Sequence, residues 1–224
     1  MAPRLEDIII SNLESLKAEP FIWWQKTWWS GGAFLELIEE CEKSFRTSGF
    51  KAGQRLAFLL PNSPILLASV IAVWKLGGTV VPIDPRSGYV SLIKQLKHAD
   101  VFASVTYRGS SGIVPLISEE GIPCVVTSLD APVESIAGRP SAEESPDTAV
   151  IFYTSGTTGE PKAVPLTHAN LYASINSCVD HIGKLTDEDV FLNALPNFNA
   201  FGFVCGSLIP LVKGTCQEIG RAHV

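Results

Sequence analysis

Charged residues, histidines and clustered cysteines are scarce in this sequence. Only 18% of the 224 residues are charged and the formal net charge is −6, so no basic face is expected that could neutralise nucleic-acid phosphates. The five cysteines stand singly, without a C-x-x-C pair, which argues against a zinc site and favours reduced, buried thiols. We therefore expect a protein that binds no nucleic acid and works in the cytoplasm.

Long hydrophobic runs are lacking as well. The longest, 64–74, is too short to cross a bilayer and predicts a buried helix instead. The N-terminus has acidic residues and no basic start, so no targeting segment is expected. Two tryptophan doublets, 23–24 and 28–29, could contact a membrane surface or a partner, although packing against the core is the favoured interpretation. The prediction is a chain with no transmembrane segment, for which peripheral membrane contact stays open.

Hydrophobic residues make up 46% of the chain, and from residue 55 onward their pattern alternates between strand and helix. Short apolar runs predict strands over 55–60, 79–83, 101–105 and 123–127, with amphipathic helices between them, as over 87–97. Ser63 can cap the helix that begins at Pro64, and the glycines at 77 and 78 can end it. This alternation is typical of βαβ units around a parallel sheet.

The most informative stretch reads Y-T-S-G-T-T-G-E-P-K, from Tyr153 to Lys162. Its glycines let backbone N–H groups approach an anion closely, its hydroxyls donate further hydrogen bonds, and its lysine adds a charge. The P-loop of nucleotide hydrolases is excluded, because Pro161 stands where that motif has glycine and Ala163 where it has a hydroxyl residue. Strands predicted over 149–153 and 163–166 make this a strand-loop-strand unit. Thr167 can then cap a helix over 168–182.

The run T-S-G-T-T-G-E-P-K-A-V-P-L-T-H, residues 154–168, closely resembles the signature loop of the adenylate-forming superfamily. That superfamily includes acyl-CoA synthetases, acyl-carrier-protein ligases and peptide-synthetase adenylation domains. Segments 49–64, 74–85 and 195–203 resemble the family in the same order along the chain. The resemblance implies an α/β fold with parallel-sheet βαβ layers, the truncated large N-terminal domain of these enzymes, and makes residues 1–215 the N-terminal portion of an AMP-binding adenylation domain.

The resemblance also implies a reaction. A carboxylate attacks the α-phosphorus of ATP, pyrophosphate leaves, and the acyl-adenylate then forms a thioester with CoA or an acyl carrier protein. Mg²⁺ accompanies the ATP. The residues implied to hold the β and γ phosphates are Thr154, Ser155, Gly156, Thr157, Thr158, Gly159 and Lys162.

The apolar segment F-N-A-F-G resembles the substrate-pocket segment of fatty-acyl members, which makes a fatty acid the expected substrate. The implied pocket residues are Phe198, Asn199, Phe201 and Gly202. Two residues depart from the family pattern, since Asn199 stands where histidine is common and Ala163 where glycine often follows the lysine. Asparagine can hydrogen-bond a carboxylate but carries no charge. No residue is assigned as catalytic or metal-binding.

The end of the chain carries a separate expectation. Residues 219–224 match one reading frame of a common sequencing adapter, so we expect a non-native tail over 216–224 and a natural reading frame that continues. The present chain would then be a fragment that is inactive alone. Two alternatives stay open, namely an amino-acid- or aryl-acid-activating adenylation domain and a non-catalytic nucleotide-binding module.

Overall fold

The computed structural model describes residues 3–154, 161–183, 185–186 and 188–220. The predicted phosphate-binding residues Ser155, Gly156, Thr157, Thr158 and Gly159 lie outside the described residues. The strands in chain order are β1 Pro20–Trp24, β2 Thr27–Ser30, β3 Arg55–Leu59, β4 Thr79–Pro82, β5 Ala103–Tyr107, β6 Cys124–Thr127, β7 Thr148–Thr154, β8 Lys162–Thr167, β9 Val190–Asn193 and β10 Cys216–Ile219. The α-helices are α1 Leu5–Ser15, α2 Gly31–Thr47, α3 Pro64–Lys75, α4 Tyr89–Ala99, α5 Val114–Glu119, α6 His168–Ile182 and α7 Ile209–Lys213. A 3₁₀ helix covers Arg108–Ile113 and a π-helical segment covers Gly202–Leu208.

The strands form two sheets. The larger has the order β6-β5-β3-β4-β7-β8, in which every pairing is parallel except the antiparallel β7–β8 hairpin at one edge. The smaller has the order β2-β1-β10-β9, with β1–β10 and β10–β9 parallel. The α/β class with parallel-sheet βαβ layers is therefore confirmed.

Helix α3 begins and ends as the sequence predicts. The Ser63 hydroxyl accepts a hydrogen bond from Leu66 N at 3.4 Å, and Pro64 occupies the first turn. Gly77, just beyond the helix, has φ +71, a conformation that glycine adopts without strain. All residues from 64 to 74 are buried, as expected for a helix covered on every side.

The larger sheet is covered on both faces, as parallel sheets usually are. Leu56 and Phe58 of β3 belong to the main core cluster together with α3. Ala57 and Leu59, which alternate with them, belong to a second cluster that includes α4. The period of two along β3 thus sends its side chains into two separate cores.

Helix α4 and strand β5 each begin two residues later than the sequence pattern predicts, α4 at Tyr89 and β5 at Ala103. Helix α4 also ends later, at Ala99. Asp100 then adopts a left-handed conformation with φ 44, which ends the helix. Its carboxylate accepts hydrogen bonds from Arg139 and from Ala142 N. Contacts with a distant segment therefore fix this boundary, and no local signal at residue 97 marks it.

The tryptophan doublets divide between core and surface. Trp24 in β1 is buried, whereas Trp28 in the edge strand β2 is 40% exposed. The Trp23 and Trp28 rings contact each other across the β1–β2 hairpin, with their centroids 5.4 Å apart. Packing against the core thus accounts for Trp24, while Trp28 lies at the surface.

Candidate functional site

The two ends of the signature loop lie side by side at the tip of the β7–β8 hairpin. Thr154 is the last residue of β7 and Lys162 the first of β8, and the two are paired in the antiparallel register. Both side chains are exposed. A hydroxyl and an ammonium group therefore flank the positions at which the loop leaves the sheet and returns to it.

The Lys162 ammonium forms no ion pair with any acidic side chain in the described ranges. An exposed lysine without a carboxylate partner can neutralise a phosphate that enters from solvent. The arrangement of Thr154 and Lys162 is thus chemically suited to an anionic ligand such as the phosphates of ATP.

Strand β4 lies beside β7, and the residues after β4 supply a second cation. Arg86 donates from Nε to Asp84 Oδ1 at 3.0 Å, and its guanidinium carbon lies 5.3 Å from the centre of the Phe198 ring. Phe198 belongs to the predicted substrate segment. Arg86 is not among the residues predicted from the sequence, although it directly follows the family-like segment 74–85.

The predicted substrate residues are held by the turn that opens the next helical segment. Asn199 Oδ1 accepts a hydrogen bond from Gly202 N at 2.8 Å, so Asn199 acts as a helix cap. Its Nδ2 is the group that remains to donate to a carboxylate. Gly202 lies so close to Pro196 that a Cβ there would be 2.2 Å from the Pro196 carbonyl oxygen. Only glycine fits this turn without displacing it.

Phe198 and Phe201 differ in their surroundings. Phe201 is 66% exposed, whereas Phe198 lines a cavity of about 530 Å³ that lies between the carboxyl ends of strands from both sheets. Its lining is mostly apolar, with Asn62, Arg86 and Tyr107 as larger polar groups, and consists of Trp24, Leu60, Pro61, Asn62, Pro85, Arg86, Tyr107, Ser110, Leu129, Pro196 and Phe198. The structure thus brings Phe198 to a cavity but leaves Phe201 at the surface.

Asn62 positions the start of the substrate segment. Its Nδ2 donates to Leu195 O at 2.7 Å and to Asn193 Oδ1 at 3.0 Å, and its Oδ1 accepts from Asn197 N at 3.0 Å. Asn62 is 6% exposed, and buried amide groups that are fully bonded fix their partners in one arrangement. Its place in the family-like run P-N-S-P is the one signal in the sequence that could have identified it.

An aromatic contact joins the substrate segment to the signature hairpin. The ring of Phe203, next to Gly202, lies 5.5 Å from the ring of Phe152 in β7 at an interplanar angle of 79°. Phe203 also meets Trp74 edge-on at 6.2 Å. Since Phe152 is two residues before Thr154, the two predicted sites rest on a shared part of the core.

The histidines of α6 have structural contacts. His168 is buried against Trp74, with ring centroids 5.1 Å apart. His181 contacts Ser177 O through Nδ1 at 2.7 Å in the last turn of the helix. The described residues contain no group of three or more histidine, cysteine or acidic side chains placed to hold a metal ion. None of the helices in the described ranges is long and apolar enough to cross a membrane.

Comparison with known proteins identifies the family. The family model described as "AMP-binding enzyme" matches residues 13–221. A malonate–CoA ligase (ACSF3, mitochondrial) of Xenopus laevis is 33% identical over 174 residues, which is 73% of this chain and 30% of the relative. A sulfoacetate–CoA ligase of Cupriavidus necator is 32% identical over 183 residues, 77% of this chain and 36% of the relative.

The fold agrees with that of solved structures. ATP-bound MatB from Rhodopseudomonas palustris matches with a TM-score of 0.77 at 20% identity, over 97% of this chain and 45% of that protein. A benzoate CoA ligase from Burkholderia xenovorans LB400 matches with a TM-score of 0.81 at 19% identity, over the same shares of each chain. The chain spans about a third of the length of the curated relatives it matches. It belongs to the family of AMP-binding enzymes, of which it covers the N-terminal portion.

Proposed function

We propose that this chain binds the phosphates of ATP and contributes to activating a carboxylic acid as its acyl-adenylate. Pyrophosphate would leave in this first step. A thiol of CoA or of an acyl carrier protein would then attack the acyl carbon, forming the thioester and releasing AMP. The observation that carries the proposal is the pairing of Thr154 with Lys162 at the exposed tip of the β7–β8 hairpin. This pairing would place a hydroxyl donor at one end and a cation at the other end of a loop rich in glycine and hydroxyl residues.

The reaction asks the protein mainly for charge neutralisation and positioning. The carboxylate and the triphosphate are both anions, so they repel each other until cations screen them. Mg²⁺ bound with the ATP would neutralise part of the phosphate charge. Lys162, as the positive charge of the loop, would hold the β and γ phosphates while Thr154, Ser155, Gly156, Thr157, Thr158 and Gly159 donate hydrogen bonds. Holding the attacking oxygen in line would then account for much of the rate.

For the acid, we propose a fatty or otherwise apolar chain. The mostly apolar cavity beside Phe198 supports this, as does the absence of any acidic side chain from 195–211, because an amino-acid substrate would need a carboxylate to meet its ammonium group. The named relatives act on malonate and sulfoacetate, which are small and anionic. An apolar acid and a small anionic acid are therefore the two classes to compare. For its place of action we propose the cytoplasm.

The test is acid-dependent exchange of pyrophosphate into ATP, measured on the full product of the natural gene. The substrates would be fatty, aryl, amino and short dicarboxylic acids. Thioester formation with CoA or acyl carrier protein as acceptor would be measured in a second assay. Lys162→Ala or Thr158→Ala should lower exchange by about two orders of magnitude, since a preorganised donor to a reacting phosphate contributes roughly 3 kcal/mol.

Lys213→Ala is the matched control, because Lys213 is exposed and bonds only to Asn176 Oδ1 among the described residues. It should leave exchange unchanged. Equal exchange in Lys162→Ala, Thr158→Ala and the parent protein would refute the phosphate-binding role. Preference for an amino acid or for a short dicarboxylic acid over every apolar acid would refute the substrate class alone.

We also propose that residues 216–224 are a non-native tail. The adapter-like sequence of residues 219–224 supports the proposal. Strand β10, by contrast, occupies Cys216–Ile219 between β1 and β9, and Gln217 is fully buried there, so the two parts of the segment are tested separately. The natural gene sequence from codon 216 onward tests the proposal, read separately for 216–219 and for 220–224. An in-frame stop directly after codon 224 in the natural gene would contradict it.

A further inference from the structure

Tyr153 immediately precedes Thr154, the last residue of β7. The Tyr153 hydroxyl contacts a side chain of helix α4. The Tyr153 oxygen lies 2.9 Å from His98 Nδ1, a hydrogen-bonding distance. The two rings also meet edge-on, with centroids 5.6 Å apart and an interplanar angle of 88°. His98 belongs to α4, 55 residues earlier in the chain.

The neighbouring residue in β7 is anchored on the opposite face of the sheet. Phe152 is buried in the main core and contacts Phe203, while Tyr153 packs against the second core cluster beneath α4. Successive side chains of a strand point to opposite faces. The last two residues before Thr154 are therefore fixed from both sides, one by core packing and one by a hydrogen bond.

The two anchors differ in what their loss would do. Phe152 and Phe203 are buried core residues, so removing either leaves a cavity and weakens the whole fold. His98 is exposed, and its contact with Tyr153 can be removed without opening the core. Burial raises the pKa of Tyr153 to about 12, so the phenol keeps its proton at neutral pH and can donate to the imidazole.

We propose that the hydrogen bond between His98 and Tyr153 positions the phosphate loop for ATP. It would fix the direction in which the chain leaves β7, so that Thr154 faces Lys162 across the hairpin. His98 is then a positioning residue that acts through Tyr153 and does not touch ATP. The inference rests on the proposed function, because it takes the loop to be an ATP phosphate site.

The experiment compares Tyr153→Phe, His98→Ala and the double variant, in the full product of the natural gene with MgATP as the ligand. Each single variant should weaken ATP binding about fivefold, the effect of losing one net hydrogen bond. The double variant should be no weaker than either single one, because both changes remove the same interaction. His98→Asn, which can place an amide group near the position of Nδ1, should recover most of the affinity. The KM for the acid should stay unchanged throughout.

His181→Ala is the matched control, since His181 is also an exposed helical histidine, and its Nδ1 contacts Ser177 O. It should leave ATP affinity unchanged. If both Tyr153→Phe and His98→Ala bind MgATP as tightly as the parent protein does, the positioning role is refuted and the proposed function stands. If the parent protein binds no MgATP, both are refuted. Equal changes in ATP affinity and in the KM for the acid would show a general structural effect and would also overturn the inference.

Discussion

His168 is a buried group whose protonation links the stability of this fold to pH. It is 4% exposed and opens α6 directly after the signature hairpin. The backbone N–H of Leu5 lies 3.5 Å from its Nδ1, and its ring packs edge-on against Trp74. Burial, and next the nearby Arg4 guanidinium, lower the pKa of His168 from 6.5 to about 4. We therefore expect the neutral ring in the folded protein at neutral pH.

Glu6 acts in the opposite direction on the same ring. Its Oε2 lies 3.4 Å from His168 Nδ1, and a carboxylate at that distance favours the imidazolium form. The other carboxylate oxygen is paired with Arg4, however, so much of the charge of Glu6 is already neutralised. Removal of the imidazole from water then outweighs the attraction, and the pKa falls.

The sign of the pH effect follows from this pKa. The folded protein binds the His168 proton more weakly than the unfolded chain does, so this contribution to stability is present above about pH 6.5 and is lost as the pH falls toward 4. At about 1.4 kcal/mol per pKa unit, the full shift corresponds to about 3 kcal/mol. About 2 kcal/mol of this should be lost between about pH 7 and pH 5.

Urea unfolding of the parent protein and of His168→Gln, repeated at about pH 7 and pH 5, measures this loss. Glutamine does not titrate, so the difference in unfolding free energy between the two proteins should change by about 2 kcal/mol over that range. An NMR titration of the His168 ring gives the pKa directly. A pKa at or above 6.5, or a difference in unfolding free energy that is the same at both pH values, would show that Glu6 dominates and would refute the reasoning.

Two further predictions concern Asn62 and Cys205. Asn62→Ala should lower the unfolding free energy by about 2 to 4 kcal/mol, because it leaves the buried groups that bond to Asn62 without partners. Asn176→Ala, at a half-buried position where the amide accepts a hydrogen bond from Lys213, should lower it by about 1 kcal/mol or less; similar losses from both variants in urea unfolding would contradict the role of the buried amide. Burial, and next the neighbouring Cys178, raise the pKa of Cys205 to about 11, so its alkylation by iodoacetamide should be slow at neutral pH and should rise about tenfold per pH unit up to that range. Peptide mass spectrometry measures this rate, and alkylation of Cys205 as fast as that of glutathione at neutral pH would contradict the shift.

The elements that local chemistry dictates could be predicted from the sequence. Thr167 caps α6 through a reciprocal pair of hydrogen bonds with Asn170, and both the cap and the helix bounds agree with the prediction. The β7–β8 hairpin also agrees with its predicted strands to within one residue at each end. In both cases, the signal lies within a few residues of the structure that it specifies.

The smaller sheet and the support of the substrate segment could not be predicted in the same way. Strand β1 pairs with β10 from the opposite end of the chain, with Ile22 beside Gln217, and Asn62 bonds to Leu195, 133 residues away. Such pairings depend on the whole fold and leave no periodic pattern near either partner. The same holds for the contact between His98 and Tyr153, because an exposed histidine on a helix has no local feature that marks its partner.

Strand β8 returns from the signature loop and, within the described part of the chain, is also the outermost strand of its sheet. An open edge of this kind offers unpaired backbone groups to other chains and invites aggregation. Pro165 lies in the middle of β8, opposite Ile151 of β7, and proline has no N–H to donate. Proline on an edge strand is one of the features that discourage edge-to-edge association, so a change of Pro165 to a β-branched residue would favour pairing with other chains next to the loop.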